Sequence, residues 1–254
     1  MDLSHIPQID ILGIKYHNVS MSETIDIIER MIISDGTNMI CTPNADHIVQ
    51  AEKDEEFHGI LLNSQLVIPD GMAVVYASFL LGTPLKGNVG GRLLALALGK
   101  KSAEKGYKIF FLGGANDQTA ERAVENYKKL FSGVNVAGVY NPPYMDEFMG
   151  EENEKMLETI HRIKPDILFV CLGTPKQEKW IYRNIHNIDA KVIVGIGATM
   201  DILAGKVRQP PKWVTRIGFE WLFRLAQDPR RLYKRYLLDD PIFFWNIIKK
   251  RLNR

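Results

Sequence analysis

The sequence has few cysteines and no long apolar run, and both absences narrow the class of protein. Only Cys41 and Cys171 are cysteines among the 254 residues, and each lies within an apolar run. We interpret them as buried thiols in a reducing compartment, not as a disulfide framework or metal ligands. No stretch reaches the roughly 18 apolar residues that would span a bilayer, and residues 1–14 lack the basic start of a signal peptide. We therefore expect a cytoplasmic protein whose membrane contact is peripheral.

The motifs of several common nucleotide-dependent enzymes are also absent. No Gly-Lys-Ser/Thr phosphate loop occurs, which argues against an ATPase. A Gly-x-Gly-x-x-Gly fingerprint with an acid about 20 residues later is missing too, which argues against a nicotinamide-dependent oxidoreductase. The sequence shows no cluster of His, Cys and carboxylates and no Asp-x-Asp after a predicted strand. We therefore expect neither a catalytic metal nor a cofactor.

The end of the chain differs in charge from the rest. Residues 206–254 hold 13 Lys and Arg against four Asp and Glu, whereas the whole chain carries +2, so the first 205 residues carry −7. This segment also holds Trp213, Trp221 and Trp245, three of the four tryptophans. Cations interleaved with aromatics suit an anionic, partly apolar surface. The alternative is a solvated basic face over a small helical core. Nucleic acid is not expected, because stacking aromatics usually sit on strands and this segment is predicted to be helical.

Short apolar runs alternate with amphipathic segments from residue 20 to residue 200, after a predicted hairpin at 9–19. This alternation predicts an α/β fold, a Rossmann-like, mostly parallel sheet flanked by helices. The predicted strands are 39–42, 66–68, 108–112, 135–140, 167–172 and 192–196. The predicted helices include 45–63, 72–81, 92–105, 118–131, 151–163 and 176–187. A catalytic domain at 1–205 and a basic helical appendage at 206–254 are the expected division.

Glycine-rich turns follow several predicted strands. Ligands of open α/β sheets bind beyond the carboxyl ends of the strands, and glycines there let backbone N–H groups approach a diphosphate. We therefore predict one shared nucleotide site, although plain tight turns would explain each glycine alone. Its predicted members are Gly113, Gly114, Gly173, Lys176 and Gly197.

Asp70 is the predicted general base. It follows a strand and precedes the flexible Gly71. Partial desolvation at a strand end can raise the pKa of a carboxylate towards working pH. An Asx-turn acid is the structural alternative. Asp46 and His47 are the other candidates, and His47 is expected on a helix, where a structural histidine is commoner.

With these loops the chain resembles the bacterial WecG/TagA/CpsF glycosyltransferase family from about residue 9 to its end. The resemblance is carried by short motifs spread along the chain. They are Thr42-Pro43-Asn44, Pro69-Asp70-Gly71, Phe111-Leu112-Gly113-Gly114, Gly173-Thr174-Pro175-Lys176-Gln177-Glu178, Gly197-Ala198-Thr199, Glu220-Trp221 and Pro229-Arg230-Arg231.

Resemblance to the TagA branch implies metal-independent, inverting transfer of N-acetylmannosamine from UDP-N-acetylmannosamine to N-acetylglucosaminyl diphosphoundecaprenol, with a β-1,4 linkage, in wall teichoic acid synthesis. It implies that Asp70 is the base and that Thr42, Asn44 and Gln177 line the sugar site. The basic tail would hold the lipid diphosphate at the inner face of the cell membrane. The tail residues expected to meet phosphate are Arg224, Arg231, Lys234 and Arg235. We also expect a homo-oligomer.

Two positions depart from the family pattern. Asn88 stands where the family commonly has an arginine, and Ala73 replaces a frequent glycine. Arg92 is expected to supply the missing charge from the next turn, or the donor diphosphate is held differently.

Three rival functions stay open at this point. A sister enzyme would use another donor, such as UDP-N-acetylmannosaminuronic acid or UDP-glucose, and the missing arginine argues mildly against a uronate. An oxidoreductase and a non-catalytic membrane or nucleic-acid adaptor are the others.

Overall fold

The structure is a computed structural model that describes residues 3–207, 214, 220–234 and 240–252. The described strands, in chain order, are β1 (Gln8–Ile11), β2 (Ile14–His17), β3 (Asn38–Cys41), β4 (Leu66–Val67), β5 (Ile109–Gly113), β6 (Val136–Tyr140), β7 (Ile167–Cys171) and β8 (Val192–Gly195). The described helices are α1 (Met21–Ile33), α2 (Ala45–Ala51), α3 (Glu55–Asn63), α4 (Met72–Leu80), α5 (Gly91–Lys105), α6 (Asp117–Leu130), α7 (Gly150–Ile163), α8 (Lys176–Asn184), α9 (Thr199–Leu203), α10 (Glu220–Gln227), α11 (Pro229–Lys234) and α12 (Asp240–Leu252).

Strands β3 to β8 form one six-stranded sheet in which every neighbouring pair is parallel, in the order β4-β3-β8-β7-β5-β6. Its central strands are apolar at every position because helices cover both faces. Along β7, Phe169 packs into one core cluster and its neighbours Leu168 and Val170 into the other. Helices α1, α5, α6 and α9 contribute to the first cluster, and α2, α3, α4, α7, α8 and α12 to the second. The predicted Rossmann-like α/β architecture is confirmed.

The predicted strand ends are correct to within one residue for the six strands of this sheet. A capping box begins α1, since the Ser20 side chain accepts from the Glu23 N–H and the Glu23 carboxylate accepts from the Ser20 N–H. The single predicted helix at 45–63 is wrong, because the chain breaks into α2 and α3. Asp54 causes the break by capping a new helix: its carboxylate accepts from the Phe57 N–H at 3.0 Å.

The strand order places a crevice in the middle of the sheet. The chain moves from β3 to β4 towards one edge and from β5 to β6 towards the other, and β8 and β7 lie between β3 and β5. Doubly wound sheets bind ligands where the order reverses in this way, beyond the carboxyl ends of the strands. We call the loops that follow β3, β4, β5, β7 and β8 the carboxyl edge.

Helix α12 packs against α2 and α4. Phe243 and Ile247 are fully buried and lie in the same core cluster as the sheet. The Asn246 amide donates to the Glu52 carboxylate at 3.0 Å, and the Arg251 guanidinium donates to the Leu80 carbonyl at 2.7 Å. The last described helix is therefore part of the core that covers one face of the sheet. The division into domains at residue 205 stays a prediction.

Replacing Phe243 with alanine should destabilise the whole protein by about 3–5 kcal/mol, the usual cost of truncating a buried phenylalanine. Trp245→Ala on the same helix is the matched control. Trp245 is 67% exposed, so its loss should change stability by about 0.5 kcal/mol or less. Urea unfolding followed by circular dichroism measures both. Equal, small effects would show that α12 does not contribute to the core.

Candidate functional site

Asp70 lies at the carboxyl edge in a backbone frame that fixes it on both sides. The Pro43 carbonyl, in the loop after β3, accepts from the Asp70 N–H and from the Tyr16 hydroxyl, both at 3.2 Å. The Val89 N–H donates to the Pro69 carbonyl at 2.9 Å. Asp70 itself is half-buried. Burial raises the pKa of Tyr16 well above its usual value, and the negative charge of Asp70 raises it further.

Asn88 completes this frame. Its side-chain oxygen accepts from the Gly71 N–H at 2.9 Å and from the Gly90 N–H at 3.0 Å. The amide therefore ties the loop that carries Asp70 to the start of α5. Asn88 is uncharged, so it places no cation near Asp70. Its side chain instead holds the backbone that follows Asp70.

Two glycines let the N-terminus of α5 approach the predicted catalytic residues. A Cβ at Gly90 would lie 1.8 Å from the Asp70 carboxylate oxygen, so a larger residue there would displace the Asp70 side chain. A Cβ at Gly91 would lie 3.2 Å from the Thr42 hydroxyl and 3.3 Å from the Gly195 carbonyl. The N-terminus of α5, the positive end of the helix dipole, thus lies beside Asp70.

Five polar side chains form a second hydrogen-bonded group, which we call the Asn44–Gln177 network. The Asn44 side-chain oxygen accepts from the His47 backbone N–H at 3.2 Å and lies 2.8 Å from His47 Nδ1. His47 Nε2 lies 2.9 Å from the Thr174 hydroxyl. That hydroxyl lies 3.3 Å from Glu178 Oε1, and the Gln177 amide nitrogen lies 2.6 Å from the same oxygen. The network joins the loops after β3 and β7.

The far end of this network reaches the loop after β8. The Gln177 side-chain oxygen accepts from the Gly197 N–H at 3.3 Å. A Cβ at Gly195 would lie 2.7 Å from the Gln177 amide nitrogen, so the amide packs closely against the end of β8. Gln177 is only 2% exposed. It therefore holds two loops of the carboxyl edge together and has little surface of its own to offer a ligand.

Glu178 is the most unusual carboxyl group among the described residues. It is 4% exposed, and burial raises its pKa to about 7. Its Oε2 atom has no hydrogen-bond partner within the described part of the chain, and His47 Nε2 lies 3.9 Å from its Oε1. Burial raises the pKa of the Cys41 thiol, and the charge of Glu178 raises it further. A proton on Glu178 is thus the state that burial favours.

The predicted UDP-binding glycines lie at or just after the ends of β5, β7 and β8, which are neighbours in the sheet. All four have positive φ angles, at 103° for Gly113, 146° for Gly114, 83° for Gly173 and 48° for Gly197. Gly113 is required by the fold, because a Cβ there would lie 2.6 Å from the Cys171 carbonyl of β7. A Cβ at Gly173 or Gly197 would meet no atom of the described residues within 4 Å, so their backbones are open to a ligand.

Lys176 points away from these glycines. Its ammonium donates to the Met145 carbonyl at 2.9 Å and to the Tyr144 hydroxyl and Asp146 carboxylate, both at 3.1 Å. It also lies 4.2 Å from the centre of the Tyr144 ring. Lys176 therefore fastens the loop between β6 and α7 to the start of α8. A UDP phosphate would have to displace these contacts to reach it.

Of Arg92 and the four cations predicted in the tail, the structure describes the side chain of Arg92 alone. Arg92 lies half-buried in the first turn of α5, directly after Gly91. Arg224 belongs to α10, and Arg231 and Lys234 belong to α11, but their side chains lie outside the described residues, as does the whole of Arg235. The part of the chain that is described contains no group of three His, Cys, Asp or Glu that could hold a metal. No helix in the same ranges is long and apolar enough to cross a membrane.

The sequence argument missed Thr174, Glu178 and the scaffolding role of Asn88. A signal for Glu178 exists, because Gln177, Trp180, Ile181 and Asn184 are buried at helical spacing on α8. Glu178 lies three residues before Ile181 and so falls on the same face. No sequence pattern marks Asn88, whose partners are two backbone N–H groups.

The chain is similar to known proteins over most of its length. Residues 9–254 match the family model described as the glycosyl transferase WecG/TagA/CpsF family. A protein of Bacillus subtilis (strain 168) is 30% identical over 248 residues, which cover 95% of this chain and 91% of the relative. A protein of Bacillus spizizenii is 31% identical over 210 residues, 83% of this chain and 78% of the relative.

A third similar protein, from Staphylococcus aureus (strain MRSA252), is 28% identical over 251 residues, 98% of this chain and 95% of the relative. All three are named N-acetylglucosaminyldiphosphoundecaprenol N-acetyl-beta-D-mannosaminyltransferase. The similarity to the Staphylococcus protein extends over nearly the whole of both chains, so the tail is included in it.

The buried carboxyl of Glu178 predicts a specific dependence of stability on pH. Its pKa is raised from 4.5 to about 7 on folding, so the folded state binds more protons than the unfolded state between these values. The contribution of Glu178 to the free energy of unfolding should therefore be largest below about pH 4.5. It should fall by up to about 3 kcal/mol as pH rises through 7. Glu178→Gln should remove this fall. Urea unfolding from pH 5 to about pH 8 measures it, and parallel curves for the two proteins would contradict the assignment.

Proposed function

Because the chain belongs to the WecG/TagA/CpsF family of glycosyltransferases, we propose that it transfers N-acetylmannosamine from UDP-N-acetylmannosamine to N-acetylglucosaminyl diphosphoundecaprenol. The names of its relatives state this acceptor and this transferred sugar. The product is a β-1,4-linked disaccharide lipid of the wall teichoic acid linkage unit. The observation that carries the proposal is the placement of Asp70 beside Thr42, at the N-terminus of α5 and at the same edge as the open glycine turns.

The proposed reaction is a single inverting displacement. The acceptor 4-hydroxyl oxygen attacks the anomeric carbon of the donor from the face opposite UDP while Asp70 takes the hydroxyl proton. The new C–O bond forms as the bond to the UDP oxygen breaks, and UDP leaves with the electron pair. Backbone N–H groups of the glycine turns and cations of the tail are proposed to stabilise the charge that develops on UDP. No metal is needed in this scheme, which stays a prediction.

A sister reaction with another donor is the alternative. The position of Asn88 bears on it, because this residue uses its side-chain oxygen to bind two backbone N–H groups. A uronate donor needs a cation close to its carboxylate, and position 88 does not provide one. We therefore favour the uncharged N-acetylmannosamine donor.

The lipid acceptor requires that the enzyme reach a membrane surface, and α12 offers a face for this contact. Ile242, Trp245, Ile248 and Leu252 are exposed and recur every three or four residues along this helix. Lys249 is an exposed cation in its last turn. We propose that this face, which we call the α12 stripe, lies on the inner leaflet, with its apolar groups in the interface and Lys249 near lipid phosphates. Self-association of the protein stays a prediction.

The donor and product can be identified directly. The protein should convert N-acetylglucosaminyl diphospholipid and UDP-N-acetylmannosamine to a disaccharide lipid, with product mass and anomeric configuration measured by mass spectrometry and NMR. Transfer should continue in excess EDTA. UDP-glucose and UDP-N-acetylmannosaminuronic acid should react much more slowly. Preferred use of either one would replace the proposed donor, and loss of transfer in EDTA with recovery on adding Mg²⁺ would overturn the metal-free scheme.

Asp70→Asn should lower turnover by about 100-fold or more, because the amide keeps the shape but cannot take the proton. Gly90→Ala should also lower turnover, since its Cβ would occupy the position of the Asp70 carboxylate. Gly59→Ala is the control, as a Cβ at this position in α3 meets no atom within 4 Å. UDP affinity, measured by calorimetry, should be retained in all three. Normal turnover in folded Asp70→Asn would exclude Asp70 as the base.

Membrane contact through the α12 stripe predicts a separation of two activities. The double substitution Trp245→Ser and Ile248→Ser should weaken binding to anionic vesicles and transfer to a full-length lipid acceptor. Transfer to a water-soluble acceptor with a short lipid should be unchanged. Leu130→Ser, which removes a similarly exposed apolar side chain at the end of α6, is the control. Vesicle co-sedimentation in low and high salt measures the effect. Unchanged co-sedimentation of the double variant would remove the stripe from the membrane contact.

A further inference from the structure

The Asn44–Gln177 network connects two residues predicted to line the sugar site, and its hydrogen positions follow from its partners. Asn44 accepts from the His47 backbone N–H, so the atom facing His47 Nδ1 is an oxygen and Nδ1 must carry a hydrogen. In the same way Gln177 accepts from the Gly197 N–H, so its other terminal atom is the NH₂ group that donates to Glu178. Both ends of the network are thus fixed by backbone donors.

The middle of the network contains one hydrogen too few when both His47 and Glu178 are in their unprotonated forms. A neutral His47 with hydrogen on Nδ1 presents a lone pair at Nε2, and an ionised Glu178 presents lone pairs at Oε1. Both atoms face the Thr174 hydroxyl, at 2.9 Å and 3.3 Å. This hydroxyl has a single hydrogen and can donate to only one of them.

One added proton satisfies every contact in two ways. It can lie on Glu178, which then donates to Thr174 while Thr174 donates to His47. Alternatively it can lie on His47, which then donates to Thr174 while Thr174 donates to Glu178. The two forms differ only in the positions of the two hydrogens along His47–Thr174–Glu178. The heavy atoms need not move.

We propose that His47, Thr174 and Glu178 share one proton and act as positioning residues that hold the Asn44 and Gln177 loops in the donor-binding arrangement. The shared proton keeps the loop after β3 bonded to the loop after β7. Its loss leaves two acceptors facing one hydroxyl hydrogen, so the ionised Glu178 competes with His47 for it and the bond between the two loops weakens. This inference rests on the proposed function for its consequence in donor binding, while the proton sharing itself does not.

Cys41 and His47 are titratable groups that lie beside Glu178. Burial and the charge of Glu178 raise the pKa of the Cys41 thiol, which stays neutral. His47 Nε2 lies 3.9 Å from Glu178 Oε1. Burial raises the pKa of Glu178 to about 7, which places release of the shared proton near neutral pH. Donor binding should accordingly weaken as pH rises above this value.

Nuclear magnetic resonance of the histidine ring nitrogens tests the sharing without any assay of activity. The His47 signals are identified among the six histidines by their loss in His47→Asn. In the wild-type protein, Nδ1 should carry the hydrogen, and Glu178→Gln and Thr174→Val should each shift the pH midpoint of the His47 ring. Thr174→Ser keeps the hydroxyl and should leave the midpoint unchanged. Identical midpoints in all four proteins would overturn the proton sharing.

Calorimetric binding of UDP between about pH 6.5 and 8.5 tests the positioning role. The wild-type protein and Thr174→Ser should lose affinity by about fivefold or more across this range, the effect of one lost hydrogen bond. Glu178→Gln should show no such loss, and Glu152→Gln, outside the network, should behave as the wild type. In turnover assays the change should appear in KM for the donor and not in kcat.

The outcomes separate this inference from the proposed function. Shifted His47 midpoints without any UDP binding in the wild-type protein would contradict the proposed donor and leave the shared proton established. UDP binding with the same pH dependence in the wild-type protein and Glu178→Gln would overturn the positioning role. If Thr174→Val does not fold, Glu178→Gln supplies both measurements.

Discussion

The parallel alignment of the six strands in the sheet decides where this protein can place polar chemistry. Because every strand of the sheet runs in the same direction, all of their carboxyl ends meet at one edge. The strands themselves are apolar and covered on both faces, which leaves the loops beyond them as the place for polar groups. Asp70, Thr42, the Asn44–Gln177 network and the glycine turns all lie at this edge. The chemistry of the protein therefore depends on how these loops are held.

Two carboxyl groups at the edge have opposite environments. Asp70 is half-buried against the N-terminus of a 15-residue helix and is held by backbone bonds on both sides. Glu178 is buried beside the Cys41 thiol and His47, and burial raises its pKa to about 7. Carboxyl groups in different environments divide the tasks of many active sites between them. In this protein Asp70 is the proposed acceptor of the substrate proton, and Glu178 is proposed to hold loops together.

Much of the fold could be predicted from the sequence because it follows from local patterns. Apolar runs such as 167–171 mark strands, and Ser20 with Glu23 marks a helix start. The site was predictable only in part. Strand-end position drew attention to Asp70 and the glycines, but the direction of the Lys176 side chain depends on a loop 30 residues away. The burial of Gln177 and Glu178 and the two bonds of Asn88 also depend on tertiary contacts between distant segments. Such contacts leave no periodic pattern in one sequence.

Hydrogen–deuterium exchange with and without UDP tests most directly whether the carboxyl edge is the donor site. Slower exchange on adding UDP should be confined to the loops after β5, β7 and β8, which carry the predicted UDP-binding glycines, and to the first turn of α5, which lies beside Asp70. Protection confined to the cavity between α8 and the loop at 146–148, where Lys179, Trp180 and Arg183 form one wall, would place the nucleotide elsewhere. That result would contradict the account of the site.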